Sequence, residues 1–181
     1  MTWRETIPII KRVRVDLMTI PRFKTILYAT DLGKNMRPVF RHAISVAEQY
    51  QAKIIMVHVA QPLGATGKAA LELYSPKKVK SLEHDAMKGI LEKMQKRLEK
   101  FQRDELGNDS TLVGKVIAVV GEPAEKIWKL AASEDVDLIV VGSHTGGGFG
   151  SGFLGSTARK LINMSDRPVL VVPVKKQTRQ P

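Results

Sequence analysis

The chain has 181 residues, 43% of them hydrophobic and 26% charged, which suits one soluble globular domain with extra segments. It has no cysteine, so disulfides, thiolate catalysis and cysteine-held metals are excluded. The net charge is +11, and more than half of that excess lies in residues 1–24 and in the tail 175–181. Basic ends attract nucleic acid, anionic membrane or acidic proteins, or they merely solubilise. With aromatic residues at 6% and no nucleic-acid module evident, the solubilising reading is favoured.

Residues 1–22 read as a basic N-terminal extension. Arg4, Lys11, Arg12 and Arg14 interrupt its apolar residues, so no signal-peptide core forms and a cytoplasmic location is expected. Within it Arg12, Arg14 and Asp16 alternate with Val13, Val15 and Leu17, the period of an added strand or a chance pattern in a leader. Trp3, Ile7, Ile9 and Ile10 add enough apolar mass to expect docking on the domain or on a second copy.

The domain proper is expected over 23–174. Thr25–Ala29 predicts the first strand. Residues 36–50 place Val39, Ala43, Val46, Ala47 and Tyr50 at helical spacing. Lys53–Val59 predicts a second strand, and 60–75 lacks a period and reads as a surface loop. Residues 76–104 predict a long charged helix, with Pro76 near its start and Val79, Leu82, Ala86, Ile90, Leu91, Met94 and Leu98 on one stripe. Thr111–Val119 is the third strand, 123–133 the third helix and Leu138–Val141 the fourth strand. A last helix begins after Gly155 and Val169–Val174 is the fifth strand. This alternation predicts an α/β fold with an open parallel sheet and helices on both faces. The strands read as nearly unbroken apolar runs, as strands covered on both sides do.

Half of the fourteen glycines fall between Gly142 and Gly155, after an apolar strand and before a helix. Such a loop cradles phosphate through backbone N–H groups and the helix N-terminus, or it is a surface loop that needs glycine only for its turns. Ligands in open α/β sheets sit beyond the carboxyl ends of strands where strand order reverses. The first strand ends Ala29-Thr30-Asp31 and the fourth ends Val141-Gly142-Ser143-His144, so neighbouring strands would put Asp31 and the glycine loop on one crevice. Asp31 would then accept from a ribose hydroxyl or help hold a metal on phosphates, or it would cap the next turn. Of the four histidines, His58 lies in an apolar strand and is expected to be a hydrogen-bonded structural residue, while His144 stands at the crevice. None has metal-ligand spacing. There is no phosphate loop ending in Gly-Lys-Ser/Thr and no nucleophile elbow.

These features in order resemble the universal stress protein family. The resemblance covers about 22–174 and rests on Lys24 to Asp31, Ala52 to Val59, Gly121-Glu122-Pro123, Asp137 to His144, Leu154-Gly155-Ser156 and Arg167 to Pro173. It implies a Rossmann-like, adenine nucleotide alpha hydrolase-like fold with strand order 3-2-1-4-5, and a homodimer through 169–174. It implies ATP, AMP or ADP as ligand, with Mg on the phosphates. Carried over, Ala29, Thr30 and Asp31 line the adenosine side, with Asp31 on ribose, and Val59 meets adenine. Val141, Gly142, Ser143 and His144 follow the ribose and phosphates. Gly155, Ser156 and Thr157 hold the terminal phosphates. ATP-binding members carry Gly, two residues, Gly, nine residues, then Gly-Ser or Gly-Thr. Here Gly142, Gly155 and Ser156 match, but Thr145 replaces the middle glycine. The expected function is a nucleotide-binding stress or signalling module that regulates an unidentified protein partner. The alternative is an adaptor of the same fold that binds no nucleotide. Catalysis beyond a slow ATPase is not expected, since no general base, Walker lysine or arginine finger is apparent.

Overall fold

The computed structural model describes residues 20–33, 35–61, 79–107, 110–144 and 154–174. The strands are β1 (Thr25–Ala29), β2 (Lys53–Ala60), β3 (Val113–Val120), β4 (Leu138–His144) and β5 (Val169–Val174). The helices are α1 (Arg37–Tyr50), α2 (Val79–Leu106), α3 (Pro123–Ser133) and α4 (Ser156–Met164), with a 3-10 turn at Ser110–Leu112. The strands form one sheet of order β3-β2-β1-β4-β5, every neighbouring pair parallel. This is the expected order, and strand order reverses between β1 and β4.

Alternation along the strands feeds two separate cores. Ile26, Tyr28, Ile54, Met56 and Val140 meet Val39, Phe40 and Ala43 of α1 and Leu98 of α2. Leu27, Val57, Ile139 and Val141 meet Ala124, Ile127 and Ala131 of α3 and Ala158 and Leu161 of α4. Both faces are covered, which is why the strands lack polar alternation. Phe40 sits between Tyr28 and Phe101, with ring centroids 5.0 and 5.3 Å away.

β2 and β3 each run one residue further than expected, to Ala60 and Val120, and two boundaries differ by more. Thr111 and Leu112 belong to the 3-10 turn rather than to β3, and the Thr111 carbonyl accepts from Lys53 Nζ at 2.6 Å instead of joining the ladder. β4 runs on through Gly142 and Ser143 to His144, because Val172, Pro173 and Val174 of β5 pair with these residues. What reads as the start of a loop is therefore the end of a strand. Pro173 stands on an edge strand, where a missing N–H is tolerated.

The start of β1 is held by Asp137, just before β4. Its Oδ2 accepts from the backbone N–H of Lys24 at 2.6 Å and of Thr25 at 2.9 Å, and its own N–H donates to the Thr25 carbonyl. The α3 start follows from Gly121-Glu122-Pro123. Gly121 takes φ +152°, which disfavours a side chain, and Pro123 lies in the first turn, where an N–H is not needed. Glu122 Oε2 caps the helix by accepting from the Glu125 N–H at 2.9 Å. The residues that carry the docking and middle-glycine expectations, Trp3 to Leu17 and Thr145, lie outside the described residues.

Candidate functional site

At the carboxyl end of the sheet the ends of β1, β2 and β4 and the first turns of α3 and α4 enclose a crevice of about 230 Å³. Because the sheet is parallel, each of these helices starts where its strand ends, so both N-termini meet at this edge. Ala29, Val57 and Val141 form its floor, and Val59 extends it along β2. Pro123 and Ile127 make one wall, and Gly155, Ser156, Thr157 and Ala158 make the facing one.

The β1 end is rigidly built. Thr30 is buried, its N–H donates to the Val57 carbonyl at 2.9 Å, and its Oγ1 accepts from the Leu32 N–H at 3.0 Å. His58 Nδ1 donates to the Thr30 carbonyl across 2.8 Å, the structural role expected of that histidine. Asp31 Oδ1 accepts from the Gly33 N–H at 2.8 Å, closing the turn, while the residue also lines the crevice. Leu32 completes the turn at φ +60°. Met36 is set on the rim by Tyr28, whose hydroxyl donates to the Met36 carbonyl at 3.2 Å. Burial pushes that phenol far above its ordinary range, so it stays a donor.

Gly155 is the N-cap of α4, and as a glycine it brings no capping side chain of its own. The N–H groups of its first turn have no partner within the helix and carry the positive end of its dipole. The opposite wall differs, since Glu122 already occupies the α3 N-terminus. Lys160 Nζ donates to Glu122 Oε1 at 2.8 Å across the two helices.

The crevice thus gathers nine of the expected residues: Ala29, Thr30, Asp31, Val59, Val141, Gly142, Gly155, Ser156 and Thr157. Ser143 is buried in β4 beside Pro173 and stays out of the crevice wall. His144 is the last residue of β4. Gly142 has a second reason to be glycine. A Cβ there would come within 2.9 Å of Val174 Cγ2 and 3.2 Å of Met36 Sδ, on the side of the α1 core. Sequence reasoning missed Met36, Val57, Pro123, Ile127 and Ala158 as walls. Val57 was findable, since it shares a β2 face with Val59 by the two-residue period. Ile127 and Ala158 read as helix core, and Met36 and Pro123 as helix starts. Among the described residues no three metal-ligating side chains cluster.

A parallel α/β sheet with a polar-lipped crevice at its switch point and a helix N-terminus beside it defines the Rossmann-like nucleotide-binding class of fold. Comparison with known proteins narrows the class: the profile of the universal stress protein family matches residues 22–173, and the chain belongs to that family. It is 28% identical over 155 residues to the universal stress protein MJ0577 of Methanocaldococcus jannaschii, covering 83% of this chain and 94% of that one. A universal stress protein of Thermus aquaticus is 30% identical over 151 residues, covering 83% and 98%. The solved structure of MJ0577 matches with a TM-score of 0.68 at 27% identity, over 87% of this chain and all of that one. A universal stress protein solved in complex with cAMP shares the fold, with a TM-score of 0.52 at 22% identity over 86% of this chain.

Proposed function

We propose that this chain binds an adenine nucleotide in the crevice and transmits its occupancy to a protein partner in a stress response. One observation carries the reading. Asp31 from β1 and Gly155, Ser156 and Thr157 from α4 come together on one crevice, although far apart in sequence. Ala29, Val57, Val59 and Ile127 offer an apolar bed for a base, Asp31 an acceptor for ribose hydroxyls, and the α4 start donors for phosphate. The cAMP complex of a protein with this fold supports adenine as the base. ATP with Mg is the proposed ligand, since the positive dipole end of α4 at Gly155 suits a polyanion.

Calorimetry with ATP and Mg²⁺ at millimolar concentration tests this, and heat of binding is expected. Gly155→Val should abolish it while the melting temperature holds. Gly155 has φ −54°, which any residue adopts, so a side chain there obstructs the approach of phosphate without straining the backbone. Absence of heat and of any thermal shift with the native chain would leave the adaptor reading in its place.

A further inference from the structure

We infer that the Glu122–Lys160 ion pair sets how many phosphates the crevice tolerates, Lys160 acting by neutralising Glu122 rather than by gripping the ligand. The inference rests on the nucleotide-binding reading above and deepens it.

Glu122 directly precedes Pro123, one wall of the crevice, and Lys160 lies four residues after Ser156, on the facing wall. Residues four apart on a helix share a face, and side chains lean toward the helix N-terminus, so Lys160 lies over the turn that carries Ser156. Neither side chain lines the crevice itself; the 2.8 Å Nζ–Oε1 contact joins the two helices whose first residues do. Glu122 is fixed there by its other oxygen, which caps α3 through the Glu125 N–H. Its carboxyl is held below its ordinary range by the Lys160 ammonium and then by the backbone N–H, so it is ionised at neutral pH. A negative charge therefore stands one residue before the Pro123 wall and cannot leave without uncapping a helix. Phosphates would approach that charge at the edge where α4 offers its donors. Lys160 cancels it, and each added phosphate makes the cancellation matter more. Both side chains are about half exposed, so the effect is screened by salt.

The test is a ligand charge series: adenosine, AMP, ADP and ATP titrated calorimetrically into the native chain and three variants at low and high salt. Lys160→Ala should leave adenosine affinity unchanged and weaken AMP, ADP and ATP progressively, by about threefold per added charge at low salt, and less at high salt. Glu122→Gln keeps a capping oxygen and should tighten ATP. The double variant should return ATP affinity close to the native value. A double variant as weak as Lys160→Ala would mean that Lys160 contacts phosphate directly, which overturns the neutralising role. A uniform loss across all four ligands, adenosine included, would mark the pair as merely structural and overturn the inference while leaving nucleotide binding standing. No binding of any of the four by the native chain would overturn both. Melting temperatures of the variants confirm that each is folded.

Discussion

Two residues that look like site residues or motif residues in the sequence are explained by packing and hydrogen bonding. Gly142 belongs to the glycine pattern, yet its missing Cβ also makes room for Val174, Met36 and Val39. Gly142→Ala should therefore destabilise the protein without any ligand present, by about 1–3 kcal/mol as an overpacked core does, read from urea denaturation. Asp137 has no role legible from its neighbours, because the N–H groups it satisfies lie 112 and 113 residues away at Thr25 and Lys24. Asp137→Ala should cost about 1–3 kcal/mol in the same measurement, as loss of charge-assisted bonds to backbone does. Nucleotide binding should survive the Asp137 change in proportion to folded protein, since Asp137 lies outside the crevice lining. The polar lips Asp31 and Gly155 to Thr157 were readable, since strand-end and helix-start chemistry is local. The walls Pro123 and Ile127 were not, since a residue that faces a cavity has the same apolar pattern as one that faces a core.

Among the elements, the strands and helices were legible because apolar period and turn residues agree along the whole domain. The misread end of β4 shows where that agreement fails. Gly142-Ser143-His144 has loop composition, and only pairing with β5 makes it a strand. The long helix α2 is tied to α1 by a device equally invisible in sequence. Glu105 is almost fully buried, with 4% of its side chain exposed, and meets Arg37 Nε at 3.0 Å and Arg41 Nε at 3.1 Å. Both arginines are largely solvated, so each can lose the pair cheaply, whereas the carboxylate cannot lose both. Arg41→Ala alone should cost under about 1 kcal/mol, and the Arg37→Ala, Arg41→Ala double variant about 3 kcal/mol or more, since a buried charge is then uncompensated. Chemical denaturation of the single and double variants checks this, and additive costs would contradict it.

At the scale of the molecule, β5 is an edge of the sheet, with Val169, Leu170 and Val171 only partly covered and Ile162 and Met164 of α4 exposed beside it. An apolar edge is hazardous unless paired, and a two-fold axis would pair it with its own copy. We propose that the protein is a homodimer through Val169–Val174. Light scattering at micromolar concentration should give twice the mass of one chain.

The seam between β1 and β4 joins two halves of the sheet that the chain completes at very different times. β1 forms a continuous unit with β2 and β3, while β4 and β5 come from the last third of the sequence. Closing the seam pairs Ile26 with Leu138 and Ala29 with Val141, contacts that enclose more than a hundred residues of chain. Such long-range parallel pairing is slow, because loop-closure entropy is spent before the contacts repay it. The crevice exists only once the seam is shut, so a ligand holding Asp31 on one lip and the α4 start on the other acts after the slow step. Nucleotide should accordingly slow unfolding while leaving the refolding rate nearly unchanged, as stopped-flow traces with and without ATP would record. The seam thus makes occupancy a matter of lifetime: a filled crevice is a clamp on the opening of the sheet.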